Sequence, residues 1–194
     1  MNIPNKLTVA RICIVPCFIF FMEMEGIFNN ILALIIFCLA AITDFFDGRI
    51  ARRNKAITDI GIFLDPLADK LLISAAFICF VDIPFLDVPA WMVITIIARE
   101  FLITGLRSIA ASKNIIIPAN KAGKFKTTSQ LVVIILILIV LIVSKVFTYC
   151  NSFYYCTALL NRIPFWATFI ITLLTIYSGF NYIWKYRKML NENK

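Results

Sequence analysis

Five of the seven aspartates in this 194-residue chain, Asp44, Asp47, Asp59, Asp65 and Asp69, fall within 26 consecutive positions. Asp44 and Asp47 are three apart and Asp65 and Asp69 four apart, so in helices each pair projects from one face. The pairs are mirrored: the midpoint of Asp44 and Asp69 is 56.5, and that of Asp47 and Asp65 is 56. An antiparallel helical hairpin turning near Ala56 therefore brings four carboxylates to one depth. Asp59 breaks the mirror and reads as the cap of the second helix in that hairpin. Like-charge repulsion and desolvation both disfavour four ionised carboxylates at one place. Protonation, pairing with Lys or Arg, and bound divalent cations are the remedies. The chain contains no histidine, which excludes Ser-His-Asp hydrolysis, histidine general bases and His-ligated metals. With oxygen donors alone, hard Mg²⁺ or Mn²⁺ is the matching cation. Gly48 permits close approach of a ligand to the backbone, and Arg52, one turn on, suits a phosphate. The competing reading is four helix-end charges paired with Arg49, Arg52, Arg53 and Lys70.

The elements that must position these carboxylates are membrane helices. Apolar residues make up 61% of the chain and charged residues 15%, against about 25% charged in a soluble domain. Six largely apolar stretches, near 7–22, 31–48, 60–81, 89–110, 127–149 and 164–184, approach the ~20 residues that span a bilayer as helix. Cytoplasmic loops hold the excess of Lys and Arg. Fifteen of these residues fall on one side of the six spans and two, Lys145 and Arg162, on the other, with Lys70 and Arg99 inside spans. The expected fold is therefore an all-α bundle of six transmembrane helices with both termini cytoplasmic, forming one domain over residues 1–194. The net charge of +8 then speaks for an anionic membrane surface and against nucleic acid. The first span lacks a small-residue cleavage site and reads as a retained helix. Cys13, Cys17, Cys38 and Cys79 read as small buried apolar residues, while Cys150 and Cys156 fall in an external loop. Tyr182, Trp184 and Tyr186 read as an interfacial aromatic belt.

The block Asp44-x2-Asp47-Gly48-x2-Ala51-Arg52-x8-Gly61-x3-Asp65-x3-Asp69 resembles the signature of the CDP-alcohol phosphatidyltransferases at every defined position. That resemblance implies a six-helix integral membrane enzyme, usually a homodimer, in which an alcohol displaces CMP from a CDP-linked lipid. It also implies two divalent cations, Mg²⁺ or Mn²⁺, held by Asp44, Asp47, Asp65 and Asp69, with Asp69 as general base. Gly48, Ala51, Arg52 and Gly61 then belong to the nucleotide site. Rival readings are another acceptor alcohol, such as inositol phosphate, serine or phosphatidylglycerol, and, outside enzymes, a divalent-cation transporter. Transport sites favour the bilayer midplane between repeated halves, and neither feature is present in this sequence.

Other segments narrow the acceptor. Asn2-Ile3-Pro4-Asn5-Lys6-Leu7-Thr8-x2-Arg11, Ala98-Arg99-Glu100, Gly105-x-Arg107 and Gly123-Lys124-x-Lys126-Thr127-x2-Gln130 are similar to segments of bacterial phosphatidylglycerophosphate synthases. The likeness runs from residue 2 to about 130 and beyond 131 is one of apolar character alone. Arg99 and Glu100 lie deep in the fourth span, where charge is costly and is usually functional. Glu100 and Arg107 are seven apart and share a helical face. Thr8, Arg11, Arg99, Glu100, Arg107, Lys124 and Lys126 are thus the candidate acceptor-phosphate or lipid-phosphate residues. Fixed cations beside an anionic metal cage suit an acceptor with its own phosphate. The expected partners are CDP-diacylglycerol and glycerol 3-phosphate, at a site on the cytoplasmic face of the cell membrane. The bland alternatives are a structural Arg99–Glu100 ion pair, and Lys124 and Lys126 snorkelling to the interface.

Overall fold

In a computed structural model the described residues are 3–54, 59–112, 121–149 and 159–191, with side chains described at 10, 12–43, 70–108, 110, 125–149 and 159–184. Their regular structure is entirely helical: α1 (Ile3–Glu23), α2 (Ile27–Asn54), α3 (Asp59–Val81), α4 (Ala90–Ser112), α5 (Lys121–Tyr149) and α6 (Ile163–Asn191). A short 3₁₀ turn, Pro84–Leu86, stands between α3 and α4. Each helix contains or closely overlaps one of the six apolar stretches and runs up to seven residues past its ends. Gly26 joins α1 to α2 at φ +123°, a conformation that a side chain would strain.

Successive helices alternate in direction. Lys145, near the end of α5, donates to Asn30 Oδ1 at the start of α2 over 2.8 Å. Ser144 Oγ meets Asn161 Oδ1, just before α6, at 3.0 Å. Glu23, Asp82 and Ala90 line one groove, which brings together the end of α1, the end of α3 and the start of α4. With an even number of helices, residues 3 and 191 therefore lie toward the same end of the bundle. α1 packs on α2 and α3, α5 on α2, α3 and α6, and α4 on α3 and α6.

The bundle is apolar outside and partly polar within. Phe28, Ile31, Ile35, Leu39 and Ile42 recur every three or four residues along α2 and are all exposed. α5 exposes Val132, Leu136, Ile139 and Val146, and α6 exposes Trp166, Ile170, Leu173 and Ile176. Asn30, Lys126, Gln130, Ser144, Thr168, Thr172 and Thr175 are instead buried. A helix in water turns its polar face outward, and exposed apolar stripes of this extent mark contact with another apolar phase. Two stretches among the described residues, Phe125–Tyr149 and Ile163–Trp184, are long and apolar enough to cross a membrane. The apolar stretches Ile12–Glu23, Ile27–Thr43 and Lys70–Val81 are shorter. Hydroxyls inside such helices find local acceptors: Thr43, Thr95, Thr104, Ser129, Thr148 and Thr172 each donate to the carbonyl four residues back at 2.6–2.8 Å.

The core itself is aromatic and aliphatic. Phe18, Phe37, Phe77, Phe80, Ile96, Ile134, Ile137 and Leu141 are fully or almost fully buried. The rings of Phe18 and Phe37 lie 5.8 Å apart and tie α1 to α2. Leu86, from the 3₁₀ turn, plugs the end of this core.

Two readings of the sequence are corrected. Cys13 and Cys17 are exposed on α1 rather than buried, because a thiol facing an apolar phase needs no protein cover. Tyr182 is buried and bonded to Arg107, so it is no part of an aromatic belt. Trp184 is exposed and stacks on Phe180 at 5.9 Å. Tyr186, Cys150 and Cys156 lie outside the described side chains.

Candidate functional site

The helices carry the four aspartates as their spacing requires. Asp44 and Asp47 sit in the later part of α2, and Asp65 and Asp69 in the first half of α3. Helical backbone at both pairs keeps each pair on a single face. Asp59 is the first residue of α3. The side chains of these aspartates, and of Thr8, Arg11, Gly48, Ala51, Arg52, Gly61 and Lys124, lie outside the described set. Among the described side chains, no three Asp, Glu or Cys residues converge.

What is described is a charged layer adjoining α3 one residue beyond Asp69. Glu100 of α4 is its centre. Lys126, only 2% exposed, forms an ion pair and hydrogen bond through its ammonium with Glu100 Oε1. Gln130, one turn further along α5, donates to the same oxygen at 3.5 Å. Arg99 Nη1 stands 3.7 Å from it. A buried charge without a partner is costly, and here one carboxylate answers two cations.

Arg99 turns the other way, toward α6, where Nη2 donates to Ser178 Oγ at 2.7 Å. Arg107, two turns on, also turns to α6: Nε donates to Tyr182 OH at 3.3 Å, and its guanidinium carbon lies 5.7 Å from the Tyr182 ring centre. The shared face of Glu100 and Arg107 therefore does not become a contact, since the long arginine side chain finds a hydroxyl and a ring on α6 instead. Arg107 remains an exposed residue.

Between α3, α4 and α5 lies a cavity of about 140 Å³. Lys70, Ser74, Glu100, Thr127 and Gln130 provide its polar lining, and Ile73, Phe77, Ile96 and Ile97 its apolar wall. Space of this size with several polar partners suits ordered water or a small polar group. Of the five charged side chains described at this end, Lys70, Arg99, Glu100, Arg107 and Lys126, four are cationic. An anion approaching the helix ends meets a fixed positive field there.

Lys126 thus does not snorkel to the interface; it is buried against Glu100. The Arg99–Glu100 pair is present but is the looser half of a larger network. Glu100 serves that network as counter-ion to Lys126 and Arg99. Ser178 and Tyr182 were not singled out as site residues from the sequence. Their link to α4 spans 79 and 75 positions, and no local pattern announces it.

A family profile described as CDP-alcohol phosphatidyltransferase matches residues 1–174. A CDP-diacylglycerol–glycerol-3-phosphate 3-phosphatidyltransferase of Bacillus subtilis is 43% identical over 145 residues, covering 69% of this chain and 74% of that protein. One so named from Rickettsia bellii is 35% identical over 185 residues, 95% of this chain and 97% of its own length. Another from Escherichia coli is 38% identical over 137 residues, 68% of this chain and 73% of its own.

Proposed function

The chain belongs to the CDP-alcohol phosphatidyltransferase family, and from that premise we propose that it transfers the phosphatidyl group of CDP-diacylglycerol to glycerol 3-phosphate, giving phosphatidylglycerol phosphate and CMP. The observation that carries this reading is a family match over residues 1–174, which takes in both the aspartate block and the charged layer of α4 and α5. The curated relatives named for this reaction support the choice of acceptor.

The donor set fits a metal site of hard-oxygen type: four carboxylates on α2 and α3, in a chain without histidine. Asp44, Asp47, Asp65 and Asp69 would hold two divalent cations, Mg²⁺ or Mn²⁺. When bound, the cations supply the charge that neutralises the donor pyrophosphate and the departing CMP. Asp69 accepts the proton of the acceptor's primary hydroxyl. The resulting oxygen attacks the phosphorus that carries diacylglycerol as its bond to CMP breaks. Gly48, Ala51, Arg52 and Gly61 receive the nucleotide. Arg107, Lys124 and Lys126, supported by Arg99 and Glu100, orient the acceptor's phosphate, and Thr8 and Arg11 contribute from α1. Direct transfer through a ternary complex matches this set, which offers no separate covalent nucleophile.

The protein is further read as a six-span protein of the cell membrane, with both termini and the site toward the cytoplasm, acting as a homodimer. Alternating helix directions and the Lys and Arg asymmetry support the topology. The diacyl chains then stay in the bilayer while the reacting groups meet at the helix ends. Purified protein in mixed micelles, given CDP-diacylglycerol and Mg²⁺ or Mn²⁺, releases CMP with glycerol 3-phosphate and not with inositol phosphate or serine. Chelation stops release and added metal restores it, while Asp69→Asn abolishes turnover without loss of the folded protein. Release with serine alone overturns the choice of acceptor, and no release with any alcohol overturns the enzyme.

A further inference from the structure

We propose that Ser178 and Gly179 of α6 are positioning residues for the acceptor site: they hold Arg99 away from Glu100 and so reserve the Glu100 carboxylate for Lys126. This rests on reading the charged layer of α4 and α5 as the place where the acceptor's phosphate binds. α6 reaches that layer through Ser178, bonded to Arg99, and Tyr182, bonded to Arg107.

The argument begins at one atom. Arg99, Lys126 and Gln130 all approach Glu100 Oε1. A charge-assisted bond from a guanidinium to a carboxylate has a length of about 2.7–2.9 Å. Arg99 Nη1 instead stops at 3.7 Å, while Nη2 makes its short bond, 2.7 Å, to Ser178 Oγ on the opposite side. The hydroxyl of Ser178 is thus a restraint on where the guanidinium stands. Without it, Arg99 is free to close on Glu100 and compete for the oxygen that Lys126 holds.

Gly179 sets the path of the same side chain. A Cβ at this position would lie 3.0 Å from Arg99 Cγ and 3.5 Å from Nε. The Arg99 stem therefore occupies the space that any other residue at 179 would fill. Arg99 Nε is buried and has no hydrogen-bond partner among the described residues. The side chain is accordingly held by the fit of its stem on Gly179 and by its terminal bond to Ser178, rather than by a ring of partners. One step along α6 thus provides both a hydroxyl and a gap, each facing Arg99.

The consequence is one of substrate affinity. Arg99 held off the carboxylate keeps its charge for a phosphate, whereas Arg99 closed on the Glu100 oxygen that already pairs with Lys126 is neutralised and loosens that pair. Loss of the Ser178 hydroxyl should weaken acceptor binding and leave the nucleotide site on α2 and α3 untouched.

The test measures CMP release by wild-type protein and by Ser178→Ala, Ser178→Thr and Gly179→Leu, with each substrate varied in turn. Ser178→Ala is expected to raise the KM for glycerol 3-phosphate about tenfold, the scale of one hydrogen bond to a charged group. The KM for CDP-diacylglycerol and the kcat should stay within about twofold, the pattern of lost ground-state binding. Ser178→Thr, which keeps the hydroxyl, should restore the acceptor KM, and Gly179→Leu should raise it further. If Gly179→Leu does not fold, the serine pair decides alone. An unchanged acceptor KM in Ser178→Ala, or no rescue by threonine, overturns the proposal. If wild-type protein uses a different phosphorylated alcohol, the choice of acceptor falls, and the same variants decide the α6 proposal on that alcohol's KM. Use of an unphosphorylated alcohol, or no release with any alcohol, overturns both.

Discussion

Glu100 shows how one side chain can hold a charged layer together. It faces Lys126, Gln130 and Arg99 at once and also lines the cavity beside Lys70. Removing one member of a buried ion pair strands the other, which costs roughly 3–5 kcal/mol in buried settings. Glu100→Gln should therefore destabilise the protein by about 3 kcal/mol, since the cavity still allows some water to reach the stranded lysine. Lys126→Gln should cost a similar amount. The double variant should be more stable than the sum of the two losses, because two amides restore a neutral hydrogen-bonded contact. Thermal unfolding in detergent reads all three. Strict additivity would show that the pair is not coupled and that Lys126 is held by something else.

At the level of the helix, polar side chains set how the elements lie against one another. Asn30 is fully buried at the start of α2 and accepts from Lys145 near the end of α5 at 2.8 Å. Ser144, beside it, reaches Asn161 before α6. These contacts fix two helix pairs at the end of the bundle away from the charged layer. Asn30→Leu should strand the Lys145 ammonium and lower the unfolding free energy by about 1–3 kcal/mol. The acceptor KM should be unchanged, which separates this variant from those at Ser178. A shift in KM equal to that of Ser178→Ala would mean that the two ends of the bundle are not independent.

The helices themselves were legible in the sequence because apolar length is a local property, and the runs at 131–143 and 31–42 lie well inside α5 and α2. The aspartate pairs were legible for the same reason, since spacings of three and four are read within one helix. Pairings between helices were not. Nothing near Ser178 marks it as the partner of a residue 79 positions away, and spacing placed Arg107 with Glu100 when the side chain's length let it reach Tyr182. Tyr182 reads as an interfacial aromatic because burial depends on the facing helix, which the local sequence does not contain.

For the whole molecule, the two ends of the bundle differ in charge, and the proposed topology makes a testable claim from that difference. At the end with Glu23, Glu25, Asp82 and Asp87, the described cations are Lys145 and Arg162. The other end carries Lys70, Arg99, Arg107 and Lys126 among the described side chains, and the end of α2 adds Arg49, Arg52 and Arg53 in sequence. Orientation follows Lys and Arg near the helix ends, with acids contributing little. The exposed apolar stripe of α2 requires lipid along its length, so a shallow or one-sided placement would leave Phe28 or Ile42 in water. Alkaline phosphatase fused after Gly26, Asp87 or Arg162 should therefore be active. Fused after Asn54, Ser112 or Lys194 it should be inactive, and a fluorescent protein at Lys194 should be bright. Active phosphatase at Lys194 would overturn the even-span arrangement. Activity at Asn54 alone would instead mean that α1 and α2 do not cross as a pair, which would put the α2 aspartates and the α4–α5 cations on opposite sides of the membrane and leave no shared site for the two substrates.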